Sequence, residues 1–207
     1  MLTLIKLSAF FVLSIITISW RKRPLSKQIP RLEMDDLDPQ LRETLQPRVD
    51  RLGYLGEFFK CTGHAPEVLR HFMEMTEALK KAVPEKITET VALTIAVKTG
   101  NDYERNQHER LSNKLGFGKD WISAVEKLDP ENAALLSNSE RIVQQYALVA
   151  IDQNGNDCQV EFEQILDVLE ISEAIGVLML VGRYMTHAIA VNTLKLVPPK
   201  PSIFEEE

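Results

Sequence analysis

Apolar residues recur at three- and four-residue intervals from Asp36 almost to the end of the chain, and no alternating run of strand length bounded by hairpin turns interrupts them. The pattern predicts an all-α fold. Proline marks the helix starts: Pro39 after Asp38, Pro66 in the HAPEVL step, Pro84 after Val83 and Pro130 after Asp129 each sit where a first-turn N–H has no helical partner. Stops fall at Gly100, Gly116 and the QNGND turn of residues 153–157, where glycine or asparagine takes positive φ. Helices are therefore expected at about 38–51, 53–62, 66–82, 84–99, 101–115, 119–127, 130–152, 159–169 and 172–195.

Two of these helices have little polar face. VALTIAV (91–97) and AIGVLMLVG (174–182) call for burial on most sides or for cover from another subunit. The second is too short, and too interrupted by Arg183 and His187, to read as a membrane span.

The stretch LTLIKLSAFFVLSIITISW (2–20) differs from everything after it: nearly all apolar, long enough to cross a bilayer as one helix, and followed at once by RKR. Three readings stand. As an anchor, with Arg21, Lys22, Arg23 and Lys27 on its downstream flank, it makes the membrane a partner and keeps the folded domain in the cytoplasm. As a cleaved signal it has the right apolar run, but no A-x-A-like site precedes Trp20. The third reading is a start codon assigned too far upstream, which leaves a cytoplasmic domain without the segment. The expected organisation is a hydrophobic segment at 1–20, a basic linker at 21–35, a helical domain at 36–197 and a proline-rich, acidic tail at 198–207.

Composition narrows the partners. The 207 residues are 44% hydrophobic, enough for one sizeable core, and a net charge of -6 argues against a nucleic-acid-binding surface. Cys61 and Cys158 fit no CxxC, zinc or secreted disulfide pattern. The four histidines, 64, 71, 108 and 187, show no HxH or HExxH spacing, so no metal is expected.

Chemistry concentrates in GNDYERNQHERL (100–111). Glu104 and His108 are four apart on an expected helix, so their side chains share a face, and a carboxylate beside an imidazole raises its pKa and orients the ring for proton transfer. The same spacing also makes ordinary surface pairs. Asn101 lies one turn earlier, either on the same side, where it would bind the substrate, or as a helix cap. Glu89 sits beside the apolar run of the preceding helix, where a carboxylate is unfavourable unless partnered, and the turn through Gly100 can bring the two helices together.

ETVALTIAVKTGNDYERNQHERLSNKLGFG (89–118) resembles the carboxymuconolactone decarboxylase and alkylhydroperoxidase D-like family, whose peroxidase members carry a Glu, eleven residues, CxxC, and a His four after the second Cys. Glu89 takes the Glu position, Asn101 the first Cys, Glu104 the second and His108 the His. LGYLGEFFKCTGHAPEVLRHFMEM (52–75) and EAIGVLMLVGRYMTHAIAVNTLKL (173–196) resemble the helices before and after the family core, so the likeness covers about residues 28–197. It implies an all-α, homo-oligomeric protein.

The thiols are missing, and thiol peroxidase chemistry needs a thiolate and a resolving thiol. What remains agrees with the decarboxylase branch: cofactor-independent acid–base chemistry on a small carbonyl, lactone or carboxylated substrate, a lyase activity. His108 would exchange the proton, Glu104 would orient and tune it, and Glu89 would serve as second carboxylate. A substrate carboxylate needs a cation, for which Arg105 is ranked first and Arg110, Arg70 and Arg183 follow; Tyr103 is placed to donate to a substrate oxygen. Two other readings are an inactive family member serving as an oligomeric binding module, and a redox protein using Cys61.

Overall fold

The computed structural model describes residues 28–205; the hydrophobic segment, most of the basic linker and the last two residues lie outside them. After a 3-10 turn at Met34–Asp36 come α1 (Pro39–Leu52), α2 (Glu57–Thr62), α3 (Pro66–Ala82), α4 (Glu85–Lys98), α5 (Asp102–Lys114), α6 (Lys119–Glu126), α7 (Asn138–Asp152), α8 (Gln159–Leu166) and α9 (Ile171–Leu194). No strand occurs among the described residues, so the expected all-α fold is observed.

The expected punctuation sets most boundaries. Asp38 accepts hydrogen bonds from the N–H groups of Gln40 and Leu41, with Pro39 in the first turn. Gly53 then ends α1 at φ 79°, a left-handed conformation open to glycine at little cost. Two helix starts differ from expectation by more than two residues. The expected helix at 53–62 begins only at Glu57, where Gly56, in an extended conformation, caps α2 after the buried Leu55. The expected helix at 130–152 begins only at Asn138. Leu128 takes φ 55°, Ala133 and Leu136 fill a local core, and the Ser137–Glu140 capping box supplies the N-terminal partners that the turn at Pro130 lacks. Glu140 is further fixed by Trp121 Nε1 at 3.2 Å and Lys86 at 3.1 Å.

The centre of the molecule is α4, whose residues Ile87 through Ala96 are all buried. It packs against α5, α6, α7 and α9, which is why its sequence shows no wet face. Helix α9 is long and apolar enough to cross a membrane by length and composition, yet one of its faces is core: Ala174, Val177, Leu180 and Tyr184 pack with α4 and α7. Gly176 lets α9 approach α3 closely, since a Cβ there would stand 2.5 Å from Val83 Cγ2. The other face is exposed at Ile171, Ile175, Leu178, Met179 and Ile189.

A second core joins α1, α2 and α3 to the end of α9, and a third lies under α6. The tail belongs to that third core. Ile203 is buried in it, and Ser202 Oγ and the Ile203 N–H both donate to Glu109 Oε2, at 2.7 and 2.8 Å.

Candidate active site

The turn between α4 and α5 builds the site. Gly100 at φ 62° reverses the chain, the Asn101 N–H donates to Ala96 O at 2.8 Å, and the Asn101 side chain accepts from the Glu104 N–H at 3.2 Å to cap α5. Packing α5 back on α4 then brings His108 against Glu89: Nδ1 donates to Glu89 Oε2 at 2.7 Å, and Ser112 Oγ donates to the same oxygen at 3.1 Å. Glu104 Oε1 stands 3.6 Å from His108 Nε2, an ion pair rather than a hydrogen bond.

Helix α9 completes the constellation. Arg183 Nη1 donates to Glu104 Oε1 at 2.9 Å and Nε donates to Thr76 Oγ1 at 3.1 Å, with its guanidinium over the Tyr184 ring at 4.3 Å. His187 Nε2 lies 3.4 Å from the other Glu104 oxygen, its Nδ1 accepts from Asn101 Nδ2 at 3.4 Å, and its ring lies against Phe58. Tyr184 places its hydroxyl 3.3 Å from His108 Nε2. Every one of these ionisable side chains is buried.

Burial opposes charge on His108, but the adjacent Glu89 and Glu104 outweigh it and lift its pKa to about 9. At neutral pH it is an imidazolium that donates from both nitrogens. Burial also opposes ionisation of Glu104; the attraction of His187 where it is charged at low pH, the close approach of the His108 ring and the charge of Arg183 overcome it and hold the carboxyl well below its usual range. Burial pushes His187 down to about 4, so it is neutral at pH 7 and the Glu104 charge rests on Arg183 and His108. Burial likewise raises the Tyr103 and Tyr184 phenols, which stay protonated.

The His108 shift has a consequence for stability. Its folded pKa of about 9 exceeds an unfolded value of about 6.5, so its charge pairing contributes fully below about pH 6.5 and is lost as pH rises through about 9. Urea unfolding at pH 6.5 and 9.5 should show lower stability at the higher pH, with the drop reduced in His108→Gln; equal drops in both proteins would place the titration elsewhere.

Glu104, His108, Tyr103, Tyr184, Arg183 and His187 lie on the wall of one cavity of about 390 Å³. The expected residues thus meet, but in altered positions. Glu89 is not on this wall and instead holds His108 from behind, while Glu104 faces the cavity. Asn101 caps α5 and steadies His187, away from the wall. Tyr103 lines the cavity, its hydroxyl accepting from the Phe58 N–H at 3.4 Å.

Arg105 is the clear correction. It pairs with Asp102 and with buried Glu109, both at 3.2 Å, because a neighbour in sequence is turned about 100° around the helix from Glu104. Arg183 is the cation beside the pair, with Arg110 also on the wall and Arg70 tied to Glu67 and Glu74 elsewhere. Sequence reasoning ranked Arg183 low and gave Tyr184 and His187 no part. The available signal was RYMTH (183–187), an Arg and a His one turn apart inside an otherwise apolar helix, where each demands a buried partner. His64 meets the Pro30 carbonyl and His71 meets Glu74, both at the surface, and Cys61 and Cys158 are buried and free in separate cores.

No family model and no curated protein matches the chain. Solved structures do. A peroxidase-related alkylhydroperoxidase D core protein from Ralstonia eutropha is similar at TM-score 0.72 and 15% identity, over 83% of this chain and 91% of that one. The debrominase Bmp8 in complex with 2,3,4-tribromopyrrole gives TM-score 0.71 at 12% identity, over 84% and 92%. A peroxidase-related protein from Silicibacter sp. gives 0.68 at 13%, over 83% and 93%. The chain therefore has the alkylhydroperoxidase D-like helical fold, as the resemblance implied. At these identities the likeness is one of fold.

Proposed function

We propose that the protein is a cofactor-independent, carboxymuconolactone decarboxylase-like enzyme acting on a small carboxylated compound. One observation carries this reading: His108, charged at neutral pH, stands between two carboxylates on the wall of a cavity that also presents Arg183 and two neutral phenols. Such a group is a general acid. When the bond between the α-carbon and the substrate carboxylate breaks, its electron pair moves onto the adjacent carbonyl and CO₂ leaves. The enolate oxygen takes hydrogen bonds from Tyr103 or Tyr184, and His108 Nε2–H protonates the α-carbon. Glu89 keeps the ring aligned and supports its recharging from solvent. Cys61 is no substitute for the absent thiols, because burial raises its pKa and it does not line the cavity. A fold that also carries a debrominase is compatible with an enzyme.

The test is turnover of β-keto acids and carboxylated lactones in deuterated water. Solvent deuterium at the former α-carbon, at a rate above the spontaneous one and lost in His108→Gln, supports the assignment; a rate that the variant leaves unchanged sinks it.

The exposed apolar stripe of α9 supports self-association. We infer that a second copy covers Ile175, Leu178 and Met179. Met179→Glu should reduce the mass seen by light scattering, and an unchanged mass would move the interface elsewhere. Membrane attachment through residues 2–20 remains part of the proposal, tested by fractionation of the full chain against one lacking them.

A further inference from the structure

A second cavity of about 790 Å³ adjoins the first and shares Arg48, Arg51, Met73, Lys80, Leu111 and Lys114 with it. These come from α1, α3 and α5. On the wall of the first cavity, lysines and arginines outnumber carboxylates seven to one, Arg110, Arg183 and Lys200 joining the four shared cations against Glu104 alone, in a chain of net charge -6. This concentration of one sign in a concave site marks an anion-binding surface.

The partners within the protein do not balance it. Arg183 is engaged by Glu104, but Glu77 alone serves both Arg48 at 3.0 Å and Lys80 at 3.5 Å. Arg51 and Lys114 make no ion pair among the described residues. Burial pushes the Arg48 and Lys80 pKa values down, Glu77 opposes this, and repulsion from neighbouring cations adds to it. A bound dianion removes that repulsion. The second cavity is also lined by Glu74, Glu77, Glu85 and Glu89, none of which lines the first, so the anion belongs at the wall the two cavities share.

We propose that this wall is a phosphoryl subsite, and that the compound acted on at His108 carries a phosphate monoester seated among Arg48, Arg51, Lys80 and Lys114. A carboxylate has two oxygens and is satisfied by one arginine fork. A phosphate monoester brings up to two charges and three acceptor oxygens, which suits four cations arriving from three helices. The inference rests on the acid–base reading only in placing the reactive carbon at His108.

The experiment is calorimetric titration of the full-length chain with phenyl phosphate, malonate and benzoate at fixed ionic strength, repeated with the Arg51→Gln/Lys114→Gln double variant. Phenyl phosphate should bind at least about 10-fold more tightly than either carboxylate and lose about 10-fold or more in the double variant. Malonate binding as tightly as phenyl phosphate, phosphate binding that the double variant leaves unchanged, or no phosphate binding would each overturn the subsite. Failure of the acid–base reading is separable. Phosphate binding that depends on Arg51 and Lys114, with no His108-dependent turnover, leaves the subsite standing without that chemistry. His108-dependent turnover of an unphosphorylated acid, without phosphate binding, does the reverse.

Discussion

His108→Gln is expected to lower turnover of the carboxylated substrate by about 10²–10⁴-fold, the range a positioned general acid supplies, while helical circular dichroism is retained. Glutamine fills similar space and keeps a hydrogen bond to Glu89, so the ring's charge and proton are lost without opening a void. The pH profile carries the sharper prediction. Because the acid form is required and His108 titrates at about 9, wild-type kcat should hold through neutral pH and fall as pH rises through that region. Glu89 touches His108 and not the cavity, so Glu89→Gln should move this falling limb to lower pH before it abolishes the rate. A limb that stays in place would remove Glu89 from the assignment. Turnover in His108→Gln equal to wild type would remove His108 and favour the binding-module reading.

Arg183→Met should destabilise the fold by about 3–5 kcal/mol, the range for removing one partner of a buried pair. The side chain is buried, its guanidinium donates to Glu104 and Thr76, and it lies over Tyr184 and Phe72, so methionine preserves bulk but strands the Glu104 carboxylate. The loss should be smaller in Arg183→Met/Glu104→Gln, since a neutral amide needs no counter-charge. Urea unfolding of the two singles and the double closes the cycle. Additive losses would show that the pair is not coupled and that Arg183 acts through packing.

The two expectations depend on residues of very different legibility. Glu104 and His108 were readable because helical geometry alone puts positions four apart on one face, and Glu89 because an acid in an apolar helix needs a partner. Their relation to the cavity was not readable. Whether Glu89 or Glu104 faces it depends on the rotation of α4 against α5, which no local spacing fixes. Arg105 misled because adjacency along the chain was taken for adjacency in space, whereas Arg183, 79 residues from Glu104, meets it only once α9 packs against the bundle.

The helices were similarly divided. Proline and glycine signals placed α3, α4 and α5 to within a residue or two, since first-turn prolines and positive-φ glycines act on the backbone locally. They failed at Pro130, where the capping box of Ser137 and Glu140, tied to Trp121 and Lys86 from other helices, set the true start of α7. The sequence by itself determined the all-α class, most helix limits and the meeting of Glu104 with His108, because these follow from short-range periodicity. Tertiary structure alone decided which charges share the cavity, which carboxylate faces it and that His108 is held as a cation. Those properties arise from burial and from charges brought together across α4, α5 and α9.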